Sequence, residues 1–102
     1  MNSIITEKIP QVVMLCKKYH VATMHVFGSA NTDTFNENSD IDFLISFLSD
    51  VRLEEYADNF FDLMFELDEL FGRKVDLVSE KTLSNPYLIS SIEQTKQLIY
   101  AA

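Results

Sequence analysis

The sequence predicts an α/β (α+β) domain in the order α-β-β-α-β-α, with a small mixed three-stranded sheet flanked by helices. Two observations lead to this prediction. Short apolar segments of strand character alternate along the chain with longer segments whose apolar residues recur at helical spacing. The 102 residues are also 47% hydrophobic and 24% charged, which is typical of a globular domain. We therefore expect a single domain over residues 1–102 with one hydrophobic core.

The first helix is predicted over residues 4–19, whose apolar side chains share one face. Thr6 could cap this helix, which would place Pro10 near the first turn, where a proline does least harm. Alternatively, the helix begins upstream and is kinked at Pro10. Cys16 lies on the apolar face and is expected to be a core residue rather than a nucleophile.

Two strands are predicted on either side of a polar loop. Residues 21–27 form the first strand, and Gly28 ends it. Residues 30–39 (ANTDTFNENS) are turn-forming types and are predicted to be a loop. In the second strand, residues 41–47, the apolar residues at alternate positions would face the core.

The second half of the chain predicts a helix, a strand and a final helix. Residues 52–71 carry an apolar stripe that includes Leu53, and Gly72 is a natural stop. Residues 74–78 form the third strand, and a helix between strands two and three suits a right-handed parallel crossover. The last helix opens at Asn85-Pro86, and its core-facing residues extend to Ile99.

A glycine, a serine and two aspartates provide the main chemical signal. Gly28 and Ser29 are followed, after ten residues, by Asp40 and Asp42. On a strand these aspartates share one face with their α-carbons roughly 6–7 Å apart, close enough for their carboxylates to share a pair of metal ions about 4 Å apart. Gly28 would allow close approach of the backbone, and the amide and hydroxyl of Ser29 would cradle phosphates. The spacing therefore predicts phosphoryl or nucleotidyl transfer.

A third aspartate strengthens this prediction. Asp76 interrupts an apolar run, so period-two alternation places it on the face opposite Val75 and Leu77. If the third strand lies beside the second, Asp76 can converge with Asp40 and Asp42. Three carboxylates would repel one another without cations, and Mg²⁺ favours such oxygen ligands. We expect two Mg²⁺ ions, and Asp76 could also accept the proton of an attacking hydroxyl.

Composition and charge argue against several other classes of protein. The net charge of −8 disfavours a surface that binds nucleic acid directly and stably, because such a surface needs a basic patch. No apolar run reaches transmembrane length, and the N-terminus lacks the pattern of a signal peptide. A single cysteine cannot form an internal disulfide, which fits a cytoplasmic location.

These motifs resemble those of the nucleotidyltransferase (DNA polymerase beta-like) superfamily. More narrowly, the chain resembles the minimal nucleotidyltransferases, or MNT proteins, which are the antitoxins of HEPN/MNT toxin–antitoxin pairs. The resemblance covers nearly the whole chain. It includes the leading helix and the segments FGSA, SDIDFLIS, VDLVSE and NPYLISSIEQTKQLIYA.

The resemblance implies a nucleotidyltransferase fold and transfer of AMP from ATP to a tyrosine of a partner HEPN ribonuclease toxin. It also implies a hetero-oligomer. Carried over by position, Gly28 and Ser29 would bind the nucleotide, and Asp40, Asp42 and Asp76 would be the catalytic, Mg²⁺-binding carboxylates. The chain departs from the family after Ser29. Residues 31–33 are Asn-Thr-Asp, where relatives commonly have a small residue, an arginine and a glycine.

Two alternatives remain open. The chain could be a non-catalytic antitoxin that masks its partner by binding, and the altered residues 31–33 favour this reading. It could instead modify a small molecule or a tRNA end, although 102 residues leave no second domain to shape an acceptor site. For the same reason, the acceptor is expected to come from another protein.

Overall fold

The computed structural model describes residues 1–28, 36 and 38–102, and within them it contains four strands and four α-helices. The strands are β1 (Val21–Phe27), β2 (Ile41–Phe47), β3 (Val75–Ser79) and β4 (Gln97–Ala101). The helices are α1 (Ser3–Thr6), α2 (Ile9–Lys18), α3 (Leu53–Phe71) and α4 (Pro86–Thr95).

The four strands form one mixed sheet in the order β3-β2-β1-β4. β1 is antiparallel to both β2 and β4, whereas β2 and β3 are parallel. A parallel pair needs a long connection, and the 19-residue helix α3 supplies it. The predicted fold class is therefore confirmed, with one strand more than the sequence analysis assigned.

The additional strand is β4, which was expected to continue the last helix. That prediction is wrong for residues 97–101, because α4 ends at Thr95 and Lys96 has the extended backbone angles φ −66° and ψ 142°. Leu98, Ile99 and Tyr100 are consecutive apolar residues, so their spacing alone does not distinguish a helix from a strand. Pairing with β1 decides the outcome, because it satisfies backbone groups along the edge of β1 that would otherwise be open.

The predicted first helix is divided into two. The Asn2 side chain caps α1 by accepting a hydrogen bond from the N–H of Ile4 at 2.9 Å, and α2 then begins at Ile9 with Pro10 in its first turn. Thr6 is not a cap, since its hydroxyl donates to the carbonyl of Ser3 at 3.2 Å. The upstream start is therefore correct, and the helix is interrupted before Pro10.

The main core lies between one face of the sheet and helices α1, α2 and α3. Ile41, Phe43 and Ile45 of β2 point into it, as their alternation predicted. Leu63 and Leu67 are the buried residues of α3, whereas Leu53 is 78% exposed, so the predicted stripe was wrong at the start of this helix. The packing of α3 is centred on its second half, and no helix in the described part of the chain could cross a membrane.

A smaller cluster lies on the opposite face of the sheet. It consists of Phe27, Leu44 and Ile92, with Leu88 packed against it. Ile92 packs with Phe27 of β1 and Leu44 of the neighbouring strand β2. This packing holds α4 across the end of β1. Gly28 directly follows Phe27 in the chain, so α4 lies beside the predicted site.

Candidate active site

Asp42 and Asp76 lie side by side on the parallel strands β2 and β3. They are direct register partners, which places their α-carbons about 4.8 Å apart in the sheet. Asp42 is also paired with Phe27 on its other side. The register therefore brings together the last residues of β1 and two of the three predicted carboxylates.

Gly28 adopts a conformation and a position that require glycine. Its φ is +70°, in the left-handed region that residues with a Cβ rarely adopt. A Cβ built at this position would lie 2.7 Å from Oδ2 of Asp42, well inside van der Waals contact. The backbone of Gly28 thus packs directly against the Asp42 carboxylate.

A cavity of about 440 Å³ opens onto these groups. Gly28, Asp42 and Asp76 line it together with Met64, Leu88 and Ser91. This volume lies within the range of small-molecule sites, and the combination of apolar walls with a few charged groups is typical of them. The lining therefore combines two carboxylates with apolar side chains such as Met64 and Leu88.

The Asp42 carboxyl is strongly perturbed. Burial is the largest cause, and the charge of Asp76 and a hydrogen bond with it act in the same direction, as does the charge of Asp40. Together they raise the pKa of Asp42 from 3.8 to about 6, although Lys74 opposes the shift. Without a bound cation, the negative charges of these carboxylates are therefore only partly compensated by nearby positive charge.

The Lys74 ammonium supplies part of that positive charge, and the sequence analysis did not single it out. Its Nζ lies 3.5 Å from Oδ1 of Asp76 and 3.7 Å from Oδ2 of Asp40, and the negative charges of Asp76 and Asp40 raise the pKa of Lys74. The available signal was its spacing, because Lys74 lies two positions before Asp76 and strand alternation places both on one face. β3 begins at Val75, one residue later than predicted.

Arg73 forms hydrogen bonds with residues that precede Asp40 in the chain. The Arg73 guanidinium donates to the carbonyl oxygens of Asn36 and Ser39, each at 3.1 Å. The N–H of Ile41 donates to the carbonyl of Lys74 at 3.3 Å, which continues the β2–β3 connection past the strands. Asp40 therefore lies on the same side as Asp76, but an ammonium stands between their carboxylates.

Comparison with known proteins assigns this arrangement to a family. A sequence model described as the nucleotidyltransferase domain matches residues 11–99. This chain belongs to the nucleotidyltransferase family. A Methanocaldococcus jannaschii protein named "Putative protein adenylyltransferase" is 40% identical over 87 residues, which cover 85% of this chain and 83% of the relative.

Solved structures share the fold of this nucleotidyltransferase. A structure described as a "putative minimal nucleotidyltransferase" superposes with a TM-score of 0.70 at 29% identity, covering 91% of this chain and 90% of that one. A toxin–antitoxin crystal structure with AMP-PNP has a TM-score of 0.72 at 19% identity, with coverage of 92% and 73%. A tri-AMPylated Shewanella oneidensis HEPN toxin in complex with MNT antitoxin gives 0.67 at 16%, with coverage of 95% and 72%. The predicted family and fold are confirmed.

The family implies a divalent metal, and the donor set of this nucleotidyltransferase fits one. No group of three or more Asp, Glu, His and Cys side chains in the described part of the chain is already arranged as a metal site. The chemistry nevertheless suits Mg²⁺, because carboxylate oxygens are its preferred protein ligands and a cation, Lys74, already bridges Asp40 and Asp76. Moving the Lys74 ammonium aside would free these two carboxylates.

Other residues named from the sequence have different outcomes. Ser29, predicted to bind phosphate, and residues 31–33, where the chain departs from its relatives, fall outside the described residues. Cys16 is fully buried, and burial raises the pKa of its thiol to about 12, which confirms that it is a core residue. Thr95, which the sequence analysis did not single out, contacts Gly28 directly.

Proposed function

We propose that this nucleotidyltransferase transfers AMP from ATP to a protein hydroxyl, a tyrosine of a partner HEPN ribonuclease toxin, and thereby acts as an antitoxin. The observation that carries the proposal is the placement of Asp42 and Asp76 as register partners, with Gly28 packed against Asp42 at the cavity. The 40% identity to a protein named as an adenylyltransferase supports AMP as the transferred group.

Each residue has a role in this proposal. The ATP triphosphate would lie against the backbone of Gly28 and Ser29, and the apolar cavity wall would receive the nucleoside. Asp40, Asp42 and Asp76 would hold two Mg²⁺ ions. When bound, these ions neutralise phosphate charge and stabilise the attacking and leaving oxygens.

The chain's own groups then orient the reaction. The acceptor hydroxyl oxygen forms a bond to the α-phosphorus while the bond from that phosphorus to the bridging oxygen breaks, so pyrophosphate leaves with the electron pair. The Asp76 carboxylate takes the proton of the acceptor hydroxyl. Asp42, wedged between Gly28 and Asp76, fixes the distance between the phosphate-binding turn and this base.

A surface on α3 supports a macromolecular partner. The side chains of Phe61 and Phe65 are 59% and 61% exposed and lie one helical turn apart, beside the exposed acids Asp58 and Asp62. Aromatic side chains are enriched in the centres of protein–protein interfaces, and polar groups form the rims. A partner that presents apolar side chains flanked by basic ones fits this face and the net charge of −8. A cytoplasmic location, where ATP is available, fits the same role.

A masking antitoxin is the second candidate, favoured by Asn-Thr-Asp at residues 31–33 and by Lys74 standing between two carboxylates. The two candidates differ in whether the carboxylates are needed. The test incubates the partner with ATP, Mg²⁺ and either wild type or the double variant Asp40→Asn, Asp42→Asn. The partner's intact mass and ribonuclease activity are then measured.

The enzyme reading predicts that only wild type adds AMP to a tyrosine of the partner and leaves lasting inhibition. Removing two metal ligands should lower the rate by orders of magnitude. The matched control is Glu7→Gln with Asp50→Asn, which makes the same change of charge at exposed positions and should behave as wild type. An unchanged mass with equal inhibition by every variant would establish masking instead.

A further inference from the structure

Thr95, the last residue of α4, joins that helix to the turn that carries Gly28. The backbone N–H of Gly28 donates a hydrogen bond to Thr95 Oγ1 at 2.9 Å, and this hydroxyl donates to the carbonyl oxygen of Ser91 at 2.9 Å. Because Gly28 is the donor in the first bond, the hydroxyl accepts there and its own proton is free for the second. The Thr95 hydroxyl thus bridges backbone groups of two elements.

The position of the Gly28 backbone decides the geometry of the site. Its α-carbon packs so closely against Asp42 that an added Cβ would lie 2.7 Å from the carboxylate oxygen. A small rotation or shift of Gly28 would therefore move its backbone relative to the Asp42 carboxylate. The hydrogen bond to Thr95 fixes the direction of the Gly28 amide, in a left-handed conformation with φ +70° that a glycine could otherwise leave easily.

Helix α4 does not depend on this hydroxyl for its own position. Ile92 is 1% exposed and packs against Phe27 and Leu44, and the Asn85 side chain caps the start of the helix by accepting from the N–H of Tyr87 at 2.9 Å. These contacts remain if Thr95 loses its hydroxyl. The hydroxyl therefore matters more for the position of the Gly28 backbone than for the position of α4.

We propose that Thr95 is a positioning residue for nucleotide binding, which holds the Gly28 backbone beside Asp42 so that the triphosphate can bind there. The inference rests on the proposed function, since it concerns the same nucleotide. It adds a hydroxyl from α4 to a predicted site whose glycine and carboxylates lie in or next to β1, β2 and β3. It also gives the helix a direct part in the site, because Leu88 and Ser91 line the same cavity.

The test compares Thr95→Val, which keeps the shape and removes the hydroxyl, with Thr95→Ser, which keeps the hydroxyl. Thr6→Val is the matched control. Thr6 is likewise the last residue of a helix, and its hydroxyl also donates to a backbone carbonyl, but α1 contributes nothing to the cavity. The dissociation constant for MgATP is measured by calorimetry, and the melting temperature is measured with and without MgATP.

We expect Thr95→Val to weaken MgATP binding about tenfold, equivalent to about 1.4 kcal/mol and close to the value of one hydrogen bond. Thr95→Ser should stay within about twofold of wild type, and Thr6→Val should be unchanged. If Thr95→Val does not fold, Thr95→Ala carries the same comparison.

Equal MgATP affinity in wild type and Thr95→Val would overturn the inference. So would a loss that Thr95→Ser fails to restore, because the side chain would then act through packing rather than through its hydroxyl. Absence of MgATP binding by the wild-type protein would refute the proposed function itself, and with it this inference. That result is seen before any variant is compared, so the two failures are distinguishable.

Discussion

Replacing Gly28 with alanine tests the construction of the site, and the chain contains a natural control for it. Gly28 and Gly72 are both left-handed, with φ +70° and +63°. A Cβ at Gly72 meets nothing within 4 Å, whereas at Gly28 it would lie 2.7 Å from Asp42 Oδ2. Gly72→Ala therefore measures backbone strain alone, and Gly28→Ala measures the same strain plus the displacement of a carboxylate.

The expected magnitudes follow from these two geometries. A left-handed conformation costs a residue with a Cβ about 1–2 kcal/mol, so Gly72→Ala should destabilise the protein by that amount. At Gly28 the obstructing atom ends a side chain that can rotate, and moving it off its rotamer adds about 1 kcal/mol. For a domain of this size, each kcal/mol lowers the melting temperature by roughly 4–8 °C.

The assay is thermal unfolding with and without MgATP, repeated in an Asp42→Ala background. Removing the carboxylate should reduce the cost of Gly28→Ala to that of Gly72→Ala, because only the strain remains. Gly28→Ala should also abolish the MgATP-dependent rise in melting temperature, and Gly72→Ala should retain it. The reasoning is refuted if both alanine variants are equally stable and both still respond to MgATP.

Two further predictions concern charge at the site. Lys74→Met should bind Mn²⁺ severalfold more tightly than wild type in the absence of nucleotide, because the ammonium between Asp40 and Asp76 competes with the ion. Calorimetry compares wild type, Lys74→Met and the control variant Lys17→Met. Equal Mn²⁺ affinity of all three proteins would contradict this prediction. Asp42 has a pKa raised from 3.8 in the unfolded chain to about 6 in the fold, so the folded state loses stability as pH rises through this interval. In EDTA, Asp42→Asn should thus be more stable than wild type at pH 7.5, by about 1 kcal/mol after allowing for partial exposure of the carboxyl, and the advantage should vanish near pH 4. A constant difference in denaturant midpoint across that range would count against the raised pKa.

Local patterns in the sequence were sufficient for most elements and for the type of chemistry. The alternation in β2 places Ile41, Phe43 and Ile45 in the core, and Asp42 consequently on the other face. Gly72 ends α3 where predicted, because its φ of +63° lies in the left-handed region that glycine, which has no Cβ, adopts without strain. Such signals depend on neighbours in the chain, which is why they can be read without a structure.

Only the tertiary structure decided which residues meet. The register Asp42↔Asp76 is a property of two strands joined by α3, and a slip of one residue would turn Asp76 to the other face. The strand β4 forms because β1 offers it an open edge, although its residues Leu98, Ile99 and Tyr100 suit a helix equally well. The sequence by itself determined that this chain carries a glycine and carboxylates of the kind that nucleotidyl transfer needs. Long-range packing determined that Lys74 stands between two of the carboxylates and that Thr95 holds the Gly28 amide, because neither contact is encoded by local spacing alone.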